Sequence, residues 1–136
     1  MEHELFILEK PYSQLNFPHE GGVTAYFSSN MTQEDLALVK EFLADAKLNP
    51  LNTRAFKQES TKFVITVGSV EEKKEEFTFK DCVFTVHWGE FSPYLREVTY
   101  YLQKAKDYAA NDLQKEMLDH YIRHFQSGSV EEHKDA

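Results

Sequence analysis

One cysteine, Cys82, in 136 residues excludes an internal disulfide and suits a reducing compartment. No apolar run approaches the roughly 20 residues that a membrane-spanning helix needs. The opening MEHELFILEK carries acids where a secretory leader needs positive charge, and its apolar run is too short. A soluble, cytoplasmic protein is therefore expected. Lysine and arginine number 15 against 23 acids, for a net charge of −8. That balance argues against a nucleic-acid partner, which demands clustered basic side chains. The Gly21-Gly22 pair has no lysine after it and lacks the longer glycine spacing of a phosphate-binding loop.

What is present is enough to fold. Apolar residues make up 41% and charged residues 28% of the chain, outside the range of disordered segments. The length fits one domain, or a piece of one, over residues 1–136. Residues 1–20 are weakly patterned: Leu5, Phe6, Ile7 and Leu8 allow a short strand or a turn of helix, and Pro11 and Pro18 forbid anything long. Glu2-His3-Glu4 and His19-Glu20 lack partners at metal-ligand spacing and read as solvated loop. Val23, Ala25 and Phe27 alternate with polar neighbours, which predicts a strand. Thr32 with Asp35 three residues later approximates a capping box. It opens a helix whose apolar stripe is Leu36, Val39, Phe42, Leu43 and Ala46; Asn49-Pro50 ends it. Residues 52–59 have no clear period.

From Lys62 the period changes to two. Phe63, Ile65 and Val67 form one strand face, Phe77 and Phe79 another, and Cys82, Phe84 and Val86 a third. The strand from Cys82 is apolar on both faces and belongs in the middle of a sheet. The run EEKKEE at 71–76 reads as a solvated connection or an exposed strand edge. Ser92-Pro93 begins a helix, with Ser92 as expected cap. Its stripe is Leu95, Val98, Leu102, Ala105 and Ala109, with Tyr94, Tyr101 and Tyr108 recurring every seventh position beside it. A second helix carries Leu113, Met117, Tyr121 and Phe125, with Leu118 and Ile122 widening the stripe, and stops at Gly128. The expected fold is α+β: a small antiparallel sheet of three to four strands with three main helices. The core is expected between the strands and the helix pair. Ser129 and Glu132 spell another capping box, yet a helix over 129–136 would be too short to stand alone, so these residues are expected to be a poorly ordered tail.

His120 and His124 share one helix face at the spacing of the HExxH zinc motif. The residues between them are Tyr121, Ile122 and Arg123. No carboxylate follows His120, Arg123 adds positive charge, and no third ligand stands at a familiar spacing, so the pair is rejected as a metal site. Two histidines near a helix C-terminus, where imidazolium is mildly favoured, account for them. No catalytic, metal-binding or cofactor-binding residue is assigned.

GGVTAYFSSNMTQEDLALVKEFL at 21–43, NTRAFK at 52–57, HWGEFSPYL at 87–95 and KDYAANDLQKEMLDHYIRHFQSGSVEEHK at 106–134 occur in one order. They include YAAN at 108–111 and GS-x-E-x-HK at 128–134. In that order and spacing the chain resembles an internal segment of the dipeptidyl-peptidase III family. The resemblance implies a zinc exopeptidase that removes dipeptides from the N-terminus of oligopeptides, with two lobes about a cleft. It places this segment in the lobe without zinc, near a small barrel-like β core. The family's HExxGH motif and later glutamate ligand do not occur here. Zinc therefore belongs to the parent, as do the peptide substrate and the partner, the zinc-bearing lobe. Two functions stay open: a non-catalytic structural segment of such a peptidase, or a stand-alone interaction or weak metal-binding module related to it.

Overall fold

The computed structural model describes residues 7–9, 13 and 15–136; Glu2-His3-Glu4 and much of the 5–8 run lie outside them. Eight elements follow one another: α1 (Gln33–Asp45), β1 (Thr53–Glu59), β2 (Lys62–Gly68), β3 (Lys73–Phe79), β4 (Cys82–Glu90), α2 (Ser92–Ala105), α3 (Asp112–Ser127) and α4 (Val130–Asp135). This is the expected α+β class. The sheet has the order β1-β2-β4-β3 and is open rather than closed into a barrel.

The sheet is mixed, which corrects the expected antiparallel meander. β1 pairs with β2 and β3 with β4 antiparallel, but β2 and β4 run parallel, Phe63 opposite Phe84 and Ile65 opposite Val86. Apolarity decides the order. β4 buries Cys82, Phe84 and Val86 and half-buries Val83, Thr85 and His87 between them, so it takes a central place. β3 begins Lys73-Lys74-Glu75-Glu76, all exposed, and is confined to the edge, where charge also discourages pairing with another chain. The stretch without a clear period in the sequence forms the other edge strand, β1, from Thr53 to Glu59. The strand expected at 23–28 does not form. That stretch makes only single bridges, Val23 with Leu15 and Phe27 with Ala55.

The core lies between the sheet and α1, not between the sheet and the later helix pair. Val39, Phe42 and Leu43 of α1 pack on Ala55, Phe63, Ile65, Val67, Phe84 and Val86, with Met31 closing one end. The rings of Phe42 and Phe84 stack at 4.0 Å and those of Phe84 and Phe63 at 5.0 Å. Phe77 and Phe79 of the edge strand meet Phe42 edge-on. Such offset and T-shaped contacts add to plain area burial.

α1 starts with the expected capping box in full. The Thr32 hydroxyl accepts from the Asp35 amide and the Asp35 carboxylate accepts from the Thr32 amide. α2 departs from expectation: its N-cap is Phe91, and Ser92 caps nothing. The Ser92 hydroxyl, 1% exposed, donates instead to the Val70 carbonyl oxygen. α3 ends at Gly128, whose φ of 77° suits a residue without Cβ. A Cβ there would meet the Gly68 carbonyl oxygen at 2.9 Å and Val67 Cγ1 at 3.0 Å. Gly128 is thus the point where α3 turns against the end of β2. Asn52 Nδ2 donates to the Gly128 carbonyl oxygen at 2.6 Å, and the Val70 and Glu71 amides bond to the carbonyls of Phe125 and Gln126.

The tail expected to be poorly ordered is the short helix α4. Half of the spelled capping box forms: the Ser129 hydroxyl accepts from the Glu132 amide, while the Glu132 carboxylate turns to His120 and Arg123. Val130 is buried at 7% exposure. The omitted term was docking: α4 packs back on α3, which offsets the nucleation cost that a free helix would bear.

Candidate functional site

His120 and His124 do project together from α3, but onto α4. His120 Nδ1 stands 2.8 Å from Glu132 Oε2, and Arg123 Nε donates to the same oxygen at 2.8 Å. Arg123 Nη2 also lies 2.9 Å from His120 Nδ1. One ring nitrogen cannot donate to a carboxylate and accept from a guanidinium at once, so His120 and Arg123 compete around Glu132. Arg123 first and His120 second hold the Glu132 carboxyl below its ordinary range. His124 Nδ1 donates to the Ser129 carbonyl oxygen at 2.7 Å, and its ring lies 5.0 Å from that of His133. The group is a clasp between two helices.

These residues do not fit zinc. A structural site uses four protein donors and a catalytic one usually three. Among the described residues no three His, Cys, Asp or Glu side chains come together to hold a metal ion, and the Arg123 guanidinium lies against His120.

Two polar pairs had no signal in the sequence. Lys57 of β1 bonds both carboxylate oxygens of Asp35, at 2.8 and 2.7 Å. Burial alone would raise the Asp35 carboxyl; the hydrogen bonds from Lys57 and Thr32 outweigh it and hold the group below its ordinary value. The second pair lies at the other end of the sheet. Glu90 accepts from the Thr66 hydroxyl at 2.7 Å and stands 3.1 Å from Arg54 Nε. That Nε is buried and makes no aligned hydrogen bond, so its tie to Glu90 is one of charge. The guanidinium lies over the Phe56 ring at 5.0 Å and near the Phe91 ring at 6.0 Å. Phe91 holds a left-handed φ of 61°, uncommon for a bulky residue. A cleft of about 380 Å³ opens here between the strand ends and the C-terminal end of α3. A longer apolar cleft, about 660 Å³, runs along α1 beside Phe17, Phe27 and Leu48.

α2 leaves much of its apolar surface exposed. It buries only Ser92 and Thr99 and turns Leu95 and Leu102 halfway inward. Tyr94 is 73%, Tyr101 64% and Tyr108 88% exposed. The tyrosines that recur at every seventh position face outward, away from the core expected between the strands and the helix pair.

An α+β unit with its own α1–sheet core, a half-covered helix pair and no convergent metal ligands among its described residues is the frame on which sequence comparison falls. The model of peptidase family M49 matches residues 1–136, and the chain belongs to that family of metallopeptidases. Dipeptidyl peptidase 3 of Homo sapiens is 37% identical over 96% of this chain and 20% of the human protein. The Mus musculus protein of the same name is 35% identical over the same shares. That of Dictyostelium discoideum is 29% identical over 97% of this chain and 19% of its own length. The chain spans about a fifth of the length of the curated relatives it matches.

Proposed function

We propose that the chain is a non-catalytic structural segment of a dipeptidyl-peptidase III-type zinc aminopeptidase, an enzyme that removes dipeptides from the N-terminus of oligopeptides. The zinc and the peptide-cleaving groups belong to the remainder of such an enzyme, which is also this segment's partner. The observation that carries the reading is the exposed face of α2. A helix in water draws most of its stability from burying an apolar stripe, and α2 buries two small polar side chains while its aromatic ones face solvent. The segment supplies a folded core on one side and a surface to be covered on the other.

The test is turnover of a dipeptidyl-naphthylamide by the purified chain with added zinc. Hydrolysis needs a metal-activated water and a base, and the expected result is no turnover above buffer. Chelator-sensitive turnover would overturn the reading. The competing reading as a stand-alone metal module requires one-to-one zinc binding at sub-micromolar dissociation constant, lost in His124→Ala; calorimetry is expected to show only weak binding.

A further inference from the structure

The exposed residues of α2 fall in a pattern. Tyr94, Val98, Tyr101 and Ala105 interleave three and four apart along the helix, and Tyr108 follows in the 3-10 turn Lys106–Tyr108 that continues it. That is the a/d register of a heptad seam. Tyr94, Val98, Tyr101 and Tyr108 are 73%, 39%, 64% and 88% exposed, and Ala105 is exposed as well. The half-buried Leu95 and Leu102 occupy the neighbouring e positions, turned inward. The seam is therefore a second apolar face, free of the one that α2 uses within the chain.

Scattered surface tyrosines need no explanation. A continuous seam does: its three tyrosines alone expose on the order of 400 Å², near the top of what a typical monomer leaves open. One flank is polar, with Glu97 and Lys104; the other is formed by the half-buried Leu95 and Leu102. An apolar line with charge of both signs along its outer edge suits a helical partner.

Resting on the reading of the chain as a peptidase segment, we propose that α2 packs lengthwise against an amphipathic helix supplied by the part of the family-length polypeptide that this chain does not span. A 14-residue helix is about 21 Å long, enough for a partner of about four turns crossing at about 20°. The partner carries apolar residues opposite Val98 and Ala105. Opposite Tyr94 and Tyr101 it carries carboxylate or amide acceptors, because a buried phenol hydroxyl needs a partner. A second copy of this chain is the weaker occupant. The relatives are about five times longer than the match, and a tethered helix acts at millimolar effective concentration, well above that of a free second chain.

The experiment places single cysteines in this chain and in a family-length protein that carries it, and measures maleimide labelling rates. The native Cys82 is buried and gives a low background. Tyr101→Cys sits in the seam; Gln103→Cys, on the outer side of the same helix, is the control. The expected result is fast labelling at both positions in the chain alone. In the family-length protein, labelling at 101 is expected to slow at least about tenfold and that at 103 to stay fast. Cross-links from position 101 are then expected to reach residues spaced three and four apart. Equal rates at 101 in the two proteins overturn the proposal. Slow labelling at 101 in the chain alone, with a dimer in sedimentation, overturns the occupant. The peptidase reading is read separately, from hydrolysis by the family-length protein without cysteine substitutions. That activity can fail while the seam is still covered, or hold while the seam stays open.

Discussion

Replacing Asp35 with alanine removes two supports at once. The Asp35 carboxylate accepts from the Thr32 amide at 2.8 Å and from Lys57 Nζ through both oxygens. Its side chain is 11% exposed and that of Lys57 20%. Loss of a cap contact costs about 1 kcal/mol. Breaking a fully buried pair costs about 3–5 kcal/mol because the orphaned charge stays behind. Here Lys57 can still reach water, so about 2 kcal/mol is the better figure for that part. A total near 3 kcal/mol is a drop in Tm of about 10 °C for a chain of this size. Thermal unfolding followed by circular dichroism measures it. Asp35→Ala combined with Lys57→Met is expected to melt higher than Asp35→Ala alone, because the stranded ammonium goes too. A single variant within about 1 kcal/mol of the parent, or a double variant no better than the single, would refute the assignment of this pair as the tie between α1 and β1.

Four further outcomes follow from the same geometry. Phe42→Ala removes the ring stacked between α1 and β4 and is expected to cost about 3–5 kcal/mol in chemical denaturation. Gly128→Ala adds left-handed strain of about 1–2 kcal/mol and a Cβ 2.9 Å from the Gly68 carbonyl oxygen; it should loosen α3 and α4 while the α1–sheet core keeps its exchange protection. The native carboxyls of Asp35 and Glu132 lie below their ordinary values. Their contribution is therefore whole above about pH 4.5 and lost as the pH falls through the lowered native values. An acid titration by circular dichroism should show stability falling only below about pH 4.5; a fall beginning near pH 6.5 would put the titration on histidine instead. Glu132→Gln is expected to raise amide exchange at Val130–Asp135 with little effect on Phe84 or Val86.

Local rules in the sequence found most elements because local rules made them. Thr32 and Asp35 spelled a capping box that forms in full, and period two marked Phe63, Ile65 and Val67 as one buried face. The two-sided apolarity from Cys82 to His87 placed β4 in the middle. Strand order was less legible. The short link from β3 to β4 suggested a meander, and only the exposed charges of Lys73 to Glu76 hint that β3 moves outward and lets β4 lie parallel beside β2. The core partner of the sheet was misassigned because α1 and α2 have equally good stripes. Periodicity shows that a helix has an apolar face but not what covers it. Lys57 with Asp35 and Arg54 with Glu90 were invisible, since each joins residues more than twenty apart with no spacing rule. α4 was misjudged from local cost alone, without Val130 and the Glu132 clasp.

Native-state hydrogen exchange on the chain alone tests most directly whether it is a folded α1–sheet unit carrying a helix that needs outside cover. Two tiers are expected: amides of α1, β2 and β4 exchanging only through global unfolding, and amides of α2 exchanging far faster through local opening. Protection along 94–102 equal to that at Phe84 and Val86 would contradict this, because α2 would then be stable without anything packed on its aromatic seam.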